Sequence, residues 1–337
     1  MNTVADINER LTADAIARVD GFRLPSKSPE EVVAEAGEEV DWLIEDILAR
    51  GAVTDLNGPA KKGGKTTFML HAIAAGAREE EIADYETKPA KYLYLSEQGN
   101  NLALALKETG LDREPLSKYI RIVQYKDVSA DQWNELIPNA AQDVVAHGFD
   151  GLIIDTVAKF GKLRGDEENL AGPVGERMQL PSLVTQQYNI ASAIIRHAGK
   201  DGQGRGSSAF EAEVDLTVSI NRVGGNAPKT RRVLSGIGRY GEWERVMELT
   251  GEGYVSHGDN QKVQFQRAVN LILAVLTPTP QTTKQNILDA RNPDEGISAT
   301  TVDRALKWLT EQGTIGARQE VGRQGKPWVY WNAAPSS

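Results

Sequence analysis

The junction between two apolar runs limits what this chain can fold into. Gly58 to Phe68 reads GPAKKGGKTTF, with AVTDL (Ala52–Leu56) before it and the small-residue run TTFMLHAIAAGA following Lys65. Strand, glycine-rich loop and helix, in that order, form the context in which a loop cradles phosphate. Backbone N–H groups and a helix N-terminus face the anion, and glycine permits the close approach. A lysine reaches the β- and γ-phosphates, and the next hydroxyl holds Mg²⁺. Gly58, Gly63, Gly64, Lys65, Thr66 and Thr67 are the candidate nucleotide-binding residues, with Thr66 as a metal ligand. The register is unusual. Pro59 stands where the first glycine of the motif belongs, and five residues, not four, separate Gly58 from Gly64. The extra residue is expected to bulge near Lys61 and Lys62, leaving Lys65 as the phosphate lysine. The competing reading is a glycine-rich turn that only caps a helix.

Apolar strands alternate with helical segments on either side of this loop. Trp42–Leu48 reads as a short helix and Lys91–Glu97 (KYLYLSE) as a strand. Tyr119–Tyr125 and Gly151–Val157 (GLIIDTV) read as further strands. A helix over 176–189 leads to a strand over Ile190–His197. Strands buried on both faces and separated by helices predict an α/β fold with a mostly parallel twisted sheet. VDLTVSINRV and TRRVLSGI extend it, and Tyr240–Asp259, with four glycines, reads as a connector. Residues 30–40 (EEVVAEAGEEV) suggest a short acidic helix within an N-terminal arm.

Three further segments supply chemistry. Asp155 ends a buried strand, where a carboxylate can orient Mg²⁺ or its water; a helix cap would look similar. Glu97 ends another strand and is the candidate base that polarises the attacking water. RHAGKDGQGRGSSAF (Arg196–Phe210) gathers His197, Lys200 and Arg205. His197 is placed to sense a γ-phosphate, while Lys200 and Arg205 are placed to reach a nucleotide in a neighbouring subunit. The competing readings are a surface glutamate and an exposed basic loop.

Together these segments resemble RecA-fold P-loop ATPases of the hexameric plasmid RepA-like helicase family, the phage and mobile-element AAA family ATPases. WLIEDILARGAVTDLNGPAKKGGKTTF is similar to that family's lead-in and phosphate loop. YLYLSE matches the strand bearing the catalytic glutamate, GLIIDTVAKF the Walker B strand, and DEEN (Asp166–Asn169) an acidic-Asn signature. The resemblance covers about residues 40–240 and implies a RecA-like core, ATP and Mg²⁺ as cofactors, and a homo-oligomer, expected to be a hexamer. It also gives His197, Lys200 and Arg205 sensor and trans-acting roles. Many relatives carry two histidines where this chain has Arg196-His197.

From about Gln261 the texture changes. Three amphipathic segments, the last with Val302, Ala305, Leu306 and Leu309 on one face, precede a basic, glycine-rich hairpin. This pattern predicts a winged helix-turn-helix. The expected organisation is an arm over 1–40, an ATPase domain over 41–250, a linker over 251–261 and a winged-helix domain over 262–333. Arg304, Lys307, Arg318, Arg323 and Lys326 are the candidate DNA-binding residues; protein contact is the alternative. Trp308, Trp328 and Trp331 are expected in the core.

Composition narrows the remaining choices. The chain has 337 residues, 38 basic and 47 acidic, for a net charge of −9. Residues 262–337 carry +3 of that and the rest −12, so acidity of the whole masks a basic tail. No cysteine is present, which excludes a disulfide scaffold and fits a reducing, cytoplasmic compartment. The polar N-terminal segment does not resemble a targeting peptide, and no membrane association is expected. The functional expectation is ATP hydrolysis by an oligomeric motor acting on DNA, a replicative or recombination helicase with replication or recombination proteins as further partners. The alternatives are an initiator, loader or regulator that binds DNA without unwinding it, and an ATPase switch that touches no nucleic acid.

Overall fold

The computed structural model describes residues 26–36, 39–60, 63–128, 132–197, 207–224, 227–291, 297–319 and 327–332. It divides into two units, Met1–Val40 and Asp41–Ser337. In the first, Pro29–Ala36 is helical. Ser28 and Glu31 cap it reciprocally, Glu31 N–H donating to Ser28 Oγ and Ser28 N–H to the Glu31 carboxylate.

The second unit begins with a small hairpin, β1 (Trp42–Ile44) and β2 (Leu48–Ala49). The helix expected over Trp42–Leu48 does not form. Leu43, Ile44, Ile47 and Leu48 are all buried, and the tight reversal through Asp46 at φ 58° puts them into one core. The main sheet has nine strands: β3 (Val53–Gly58), β4 (Tyr92–Ser96), β5 (Ile120–Gln124), β6 (Gly151–Asp155), β7 (Ala191–His197), β8 (Leu216–Arg222), β9 (Arg231–Gly238), β10 (Gly241–Thr250) and β11 (Gly253–Asp259). Their spatial order is β11-β10-β9-β8-β3-β7-β6-β4-β5. From β8 to β5 every pairing is parallel. From β8 to β11 the strands run as an antiparallel meander. The sheet is thus α/β and mostly parallel, as its alternating pattern predicts. Tyr240–Asp259 is not a connector, however, and the sheet runs past residue 250 to Asp259. Its glycines occupy turns and a bulge between strands whose outer faces are polar, which hides the strand period.

The two faces of the sheet are sorted by residue parity. Tyr92, Tyr94 and Ile153 pack under the helix Lys65–Arg78 with Phe68, Met69 and Ile73. Leu93, Leu95, Leu152 and Ile154 face the helices Trp133–Ala146 and Ala171–Tyr188, with Val144 and Met178. Burial on both sides explains why these strands read as continuous apolar runs. It also brings the C-terminal ends of β3, β4, β6 and β7 together along one edge of the sheet.

A third core forms around the helices Asn260–Val275, Lys284–Asp289 and Ala299–Glu311. Val302, Ala305, Leu306 and Leu309 are buried on one face of the last. β12 (Thr282–Thr283), β13 (Ile315–Gln319) and β14 (Trp328–Asn332) form a small antiparallel sheet. The Trp331 indole covers Gly316, where a Cβ would lie 2.1 Å from the ring, and Trp243 covers Gly236 in the same way. Trp308 and Trp328 depart from the expectation of burial, being 43% and 51% exposed. The spacing of Trp308 places it beside, not on, the stripe formed by Val302, Ala305, Leu306 and Leu309. Among the described residues no helix is long and apolar enough to cross a membrane.

Candidate active site

The phosphate-loop motif lies where its sequence context demands, between the C-terminal end of β3 and the helix Lys65–Arg78. Gly64 caps the helix at φ 85°, a left-handed conformation that favours glycine. Gly63 folds back so that its N–H donates to Pro59 C=O at 3.0 Å. A Cβ on Gly63 would meet that same oxygen at 2.9 Å. Gly58 has a different duty. It is the last residue of β3, and a Cβ there would lie 2.3 Å from the carbonyl of Ile220 on β8. Its glycine is therefore required by strand packing, so its misplacement in the motif need not disturb Gly63–Thr66. Lys61 and Lys62, where the bulge was expected, lie outside the described residues.

A cleft of about 560 Å³ opens beside the loop, lined in part by Gly64, Lys65, Thr66, Thr67, Glu97 and Asp155. His197 also lines it. Lys65 is buried. Its Nζ donates to Gly58 C=O at 2.9 Å and Pro59 C=O at 3.3 Å, and lies 3.3 Å from His197 Nδ1. Burial pulls the Lys65 pKa down to about 8, against the carboxylates of Asp155 and Asp55. This lysine therefore destabilises the fold while charged; the penalty is full below pH about 8 and relieved as pH rises toward the ordinary lysine value.

A phosphate ligand selects the charged amine. Nucleotide affinity should therefore be flat up to pH about 8 and then fall, approaching tenfold per pH unit, as the free protein loses the Lys65 proton. Calorimetric titration at about pH 8.5, in buffers of different ionisation enthalpy, should show proton uptake on ATP binding. Unchanged affinity across this range with no uptake would exclude the mechanism.

Thr66 Oγ1 donates to Asp155 Oδ2 at 2.7 Å and accepts from Gln98 Nε2 at 2.8 Å. Tyr94 donates its hydroxyl to the same carboxylate oxygen at 2.8 Å. Asp155 is nearly fully buried; burial pushes its carboxyl up, while the bonds from Thr66 and Tyr94 and the charge of Lys65 hold it down. Glu97 follows β4, and its N–H bonds to Asp155 C=O at 2.8 Å. Burial first, then repulsion from Asp155, raises the Glu97 carboxyl above the ordinary value. A carboxylate raised in this way is a stronger base. Thr66 and Asp155 offer the hydroxyl and carboxylate oxygens that suit Mg²⁺, with the remaining positions left for phosphate and water. Among the described residues no cluster of three or more His, Asp or Glu forms a separate metal cage.

The structure therefore brings Lys65, Thr66, Glu97, Asp155 and His197 into one cleft. Lys200 and Arg205 lie outside the described residues. Gln98, Tyr94 and Asn101, which also belong to the cleft or support it, escaped the sequence reading. Gln98 directly follows Glu97, and Tyr94 has the same strand parity as Ser96, whose register partner is Asp155. Those relations were the available signal. Arg196 points away from phosphate chemistry. Its Nε and Nη2 bind both oxygens of Asp55 at 2.7 and 2.6 Å, with both side chains almost fully buried. The Phe210 ring lies 4.3 Å from its guanidinium.

Around the third core, Arg304 and Lys307 are exposed on the helix Ala299–Glu311, off its apolar face. Arg304 lies 5.8 Å from the Phe265 ring, and Lys307 pairs with Glu311 at 3.8 Å. Arg318 is exposed on β13. Arg323 and Lys326 lie outside the described residues.

A comparison with known protein families agrees with this geometry. A family model described as an AAA domain matches residues 19–203, more than half the chain. No curated protein matches. Among solved structures, a KaiC-like protein of the hyperthermophilic archaeon Pyrococcus horikoshii is 17% identical, with a TM-score of 0.48. That alignment covers 64% of this chain and 93% of the other. With the phosphate loop, the carboxylates and the parallel sheet in place, the family match identifies the chain as a member of the AAA domain family of P-loop ATPases.

Proposed function

We propose that this protein is an oligomeric, Mg²⁺-dependent ATPase that works on DNA. The observation carrying the proposal is the convergence of Lys65, Thr66, Glu97, Asp155 and His197 on one cleft. Lys65 holds the β- and γ-phosphates, and the amides that begin the following helix surround them. Thr66 and Asp155 would hold Mg²⁺, which would supply positive charge against the phosphate oxygens. Glu97 accepts a proton from water as its oxygen bonds to the γ-phosphorus, and the bond to the β–γ bridging oxygen breaks. His197, beside Lys65, is placed to report whether the γ-phosphate is present. The expected assembly is a homo-hexamer, with Lys200 and Arg205 serving a neighbouring nucleotide.

A DNA role rests on the segment from residue 262 onward. Three helices followed by a hairpin suit a winged helix, with Arg304 and Lys307 on the last helix and Arg318 on the first hairpin strand. Helicase activity is the preferred reading, with action in replication or recombination on a phage or mobile element. The basic segment over residues 262–337 also fits a DNA-binding initiator or loader that hydrolyses ATP without unwinding. ATPase rates with and without single-stranded DNA, for wild type and Lys65→Ala, test both. The expected result is DNA-stimulated hydrolysis, strand separation, and loss of both in Lys65→Ala. Stimulation without strand separation would favour the loader. Hydrolysis indifferent to DNA would remove the motor reading.

A further inference from the structure

We propose that Arg232 is a positioning residue of the phosphate loop, acting through a single hydrogen bond from its Nε to the Gly63 carbonyl. The proposal rests on the assignment of the cleft to ATP and concerns a residue outside the motifs that define it. Arg232 is the second residue of β9, two strands from β3, and its Nε donates to Gly63 C=O at 2.8 Å. One terminal nitrogen of the guanidinium is itself anchored. Nη1 donates to Lys229 C=O at 2.6 Å and to Arg231 C=O at 2.9 Å. Nη1 is thus held at the start of β9, Nε is turned to the Gly63 carbonyl, and Nη2 lies 3.8 Å from where a Gly64 Cβ would stand.

The bonded carbonyl is well chosen. Gly63 and Gly64 form the turn whose amides lead into the helix Lys65–Arg78, and their dihedrals set where those amides point. The Gly63 N–H bond to Pro59 fixes one side of that peptide turn. The Arg232 bond fixes the carbonyl on the other side, so the turn is held from within the loop and from the meander. Tyr254 of β11 reinforces the same corner. Its hydroxyl lies 3.5 Å from where a Gly64 Cβ would stand, and its ring packs edge-on against Phe68 and His71 of the helix. A turn held in the binding conformation costs less ordering entropy when phosphate arrives.

The side-chain chemistry offers a matched test. In glutamine, Nε2 is bonded to Cδ, as Nε is in arginine, so Arg232→Gln keeps a donor at the same place without the charge or the Nη bonds. In methionine the corresponding atom is a methyl, so Arg232→Met keeps the length and removes the donor. Binding of a fluorescent ATP analogue and steady-state ATPase kinetics should be measured for both, beside wild type and Lys65→Ala. Arg232→Met is expected to weaken nucleotide binding by about five- to tenfold, seen in KM rather than kcat, as loss of one such bond implies. Arg232→Gln is expected to restore most of that affinity. Equal affinity in all three overturns the proposal, and so does equal weakening in both variants, which would assign the effect to charge or packing. Should Arg232→Met melt early, Arg232→Gln decides alone: a native melting temperature with weakened nucleotide binding sinks the idea. Failure of the underlying ATP assignment is separate, because wild type and Lys65→Ala would then be alike.

Discussion

Glu97→Gln is expected to bind ATP with near wild-type affinity and to lose turnover by a factor of about 10²–10⁴, the range a positioned general base supplies. The substitution is nearly isosteric, so the backbone bond from Glu97 N–H to Asp155 remains. What disappears is the acceptor for the water proton. Removing the negative charge also relieves its repulsion with Asp155, one of the causes raising the Glu97 carboxyl. Binding should therefore not suffer, and slight tightening is consistent with the mechanism. Single-turnover hydrolysis with bound nucleotide separates the two properties. A variant that hydrolyses ATP at more than about a tenth of the wild-type rate would remove Glu97 from the role of base.

Arg196→Met is expected to produce the largest loss of stability, about 3–5 kcal/mol, because it strands a fully buried carboxylate. Asp55 would keep the bond from Asn57 Nδ2 at 3.0 Å but lose both bonds from the guanidinium. For a core of this size, the melting temperature should fall by on the order of 10 °C. Restoring neutrality by combining Arg196→Met with Asp55→Asn should recover a substantial part of that loss, since replacing both charges avoids the unpaired one. The two losses should thus be strongly non-additive. Thermal denaturation of the two single variants and the double variant measures this. Additive losses would show that the residues act independently and that the pair does not hold β3 to β7.

The pair also shows what the sequence could and could not convey. Lys65 and Thr66 were legible from the glycine-rich loop between a strand and a helix, and Glu97, Asp155 and His197 because each sits at the C-terminal end of an apolar run or just after it. In a parallel sheet those ends gather along one edge. Arg196 next to His197 read as part of the same basic loop. In β7 their side chains take opposite faces, and that parity sends Arg196 inward to Asp55. Arg232 was invisible for a different reason. It belongs to an antiparallel strand far along the chain, and only the order β9-β8-β3 brings it near the loop. The hairpin of β1 and β2 was lost because IEDIL has helical apolar spacing, while the turn at Asp46 depends on a positive φ that aspartate tolerates. The meander of β10 and β11 was lost because partly exposed strands with bulges carry a weak period.

One junction bears on how the molecule could use its ATP. β11 ends at Asp259 and the helix Asn260–Val275 starts at the next residue, with the Asp259 side chain accepting the Lys262 N–H. Asn260 is further tied to Glu244 of β10 at 2.6 Å. No slack separates the sheet from the helix that begins the third core. A flexible leash would let that core search a volume and would pass on no torque. A splice of this kind would act as an axle: rotation or tilt of the meander would carry the helix Asn260–Val275 with it, and load on that helix would reach β10 and β11.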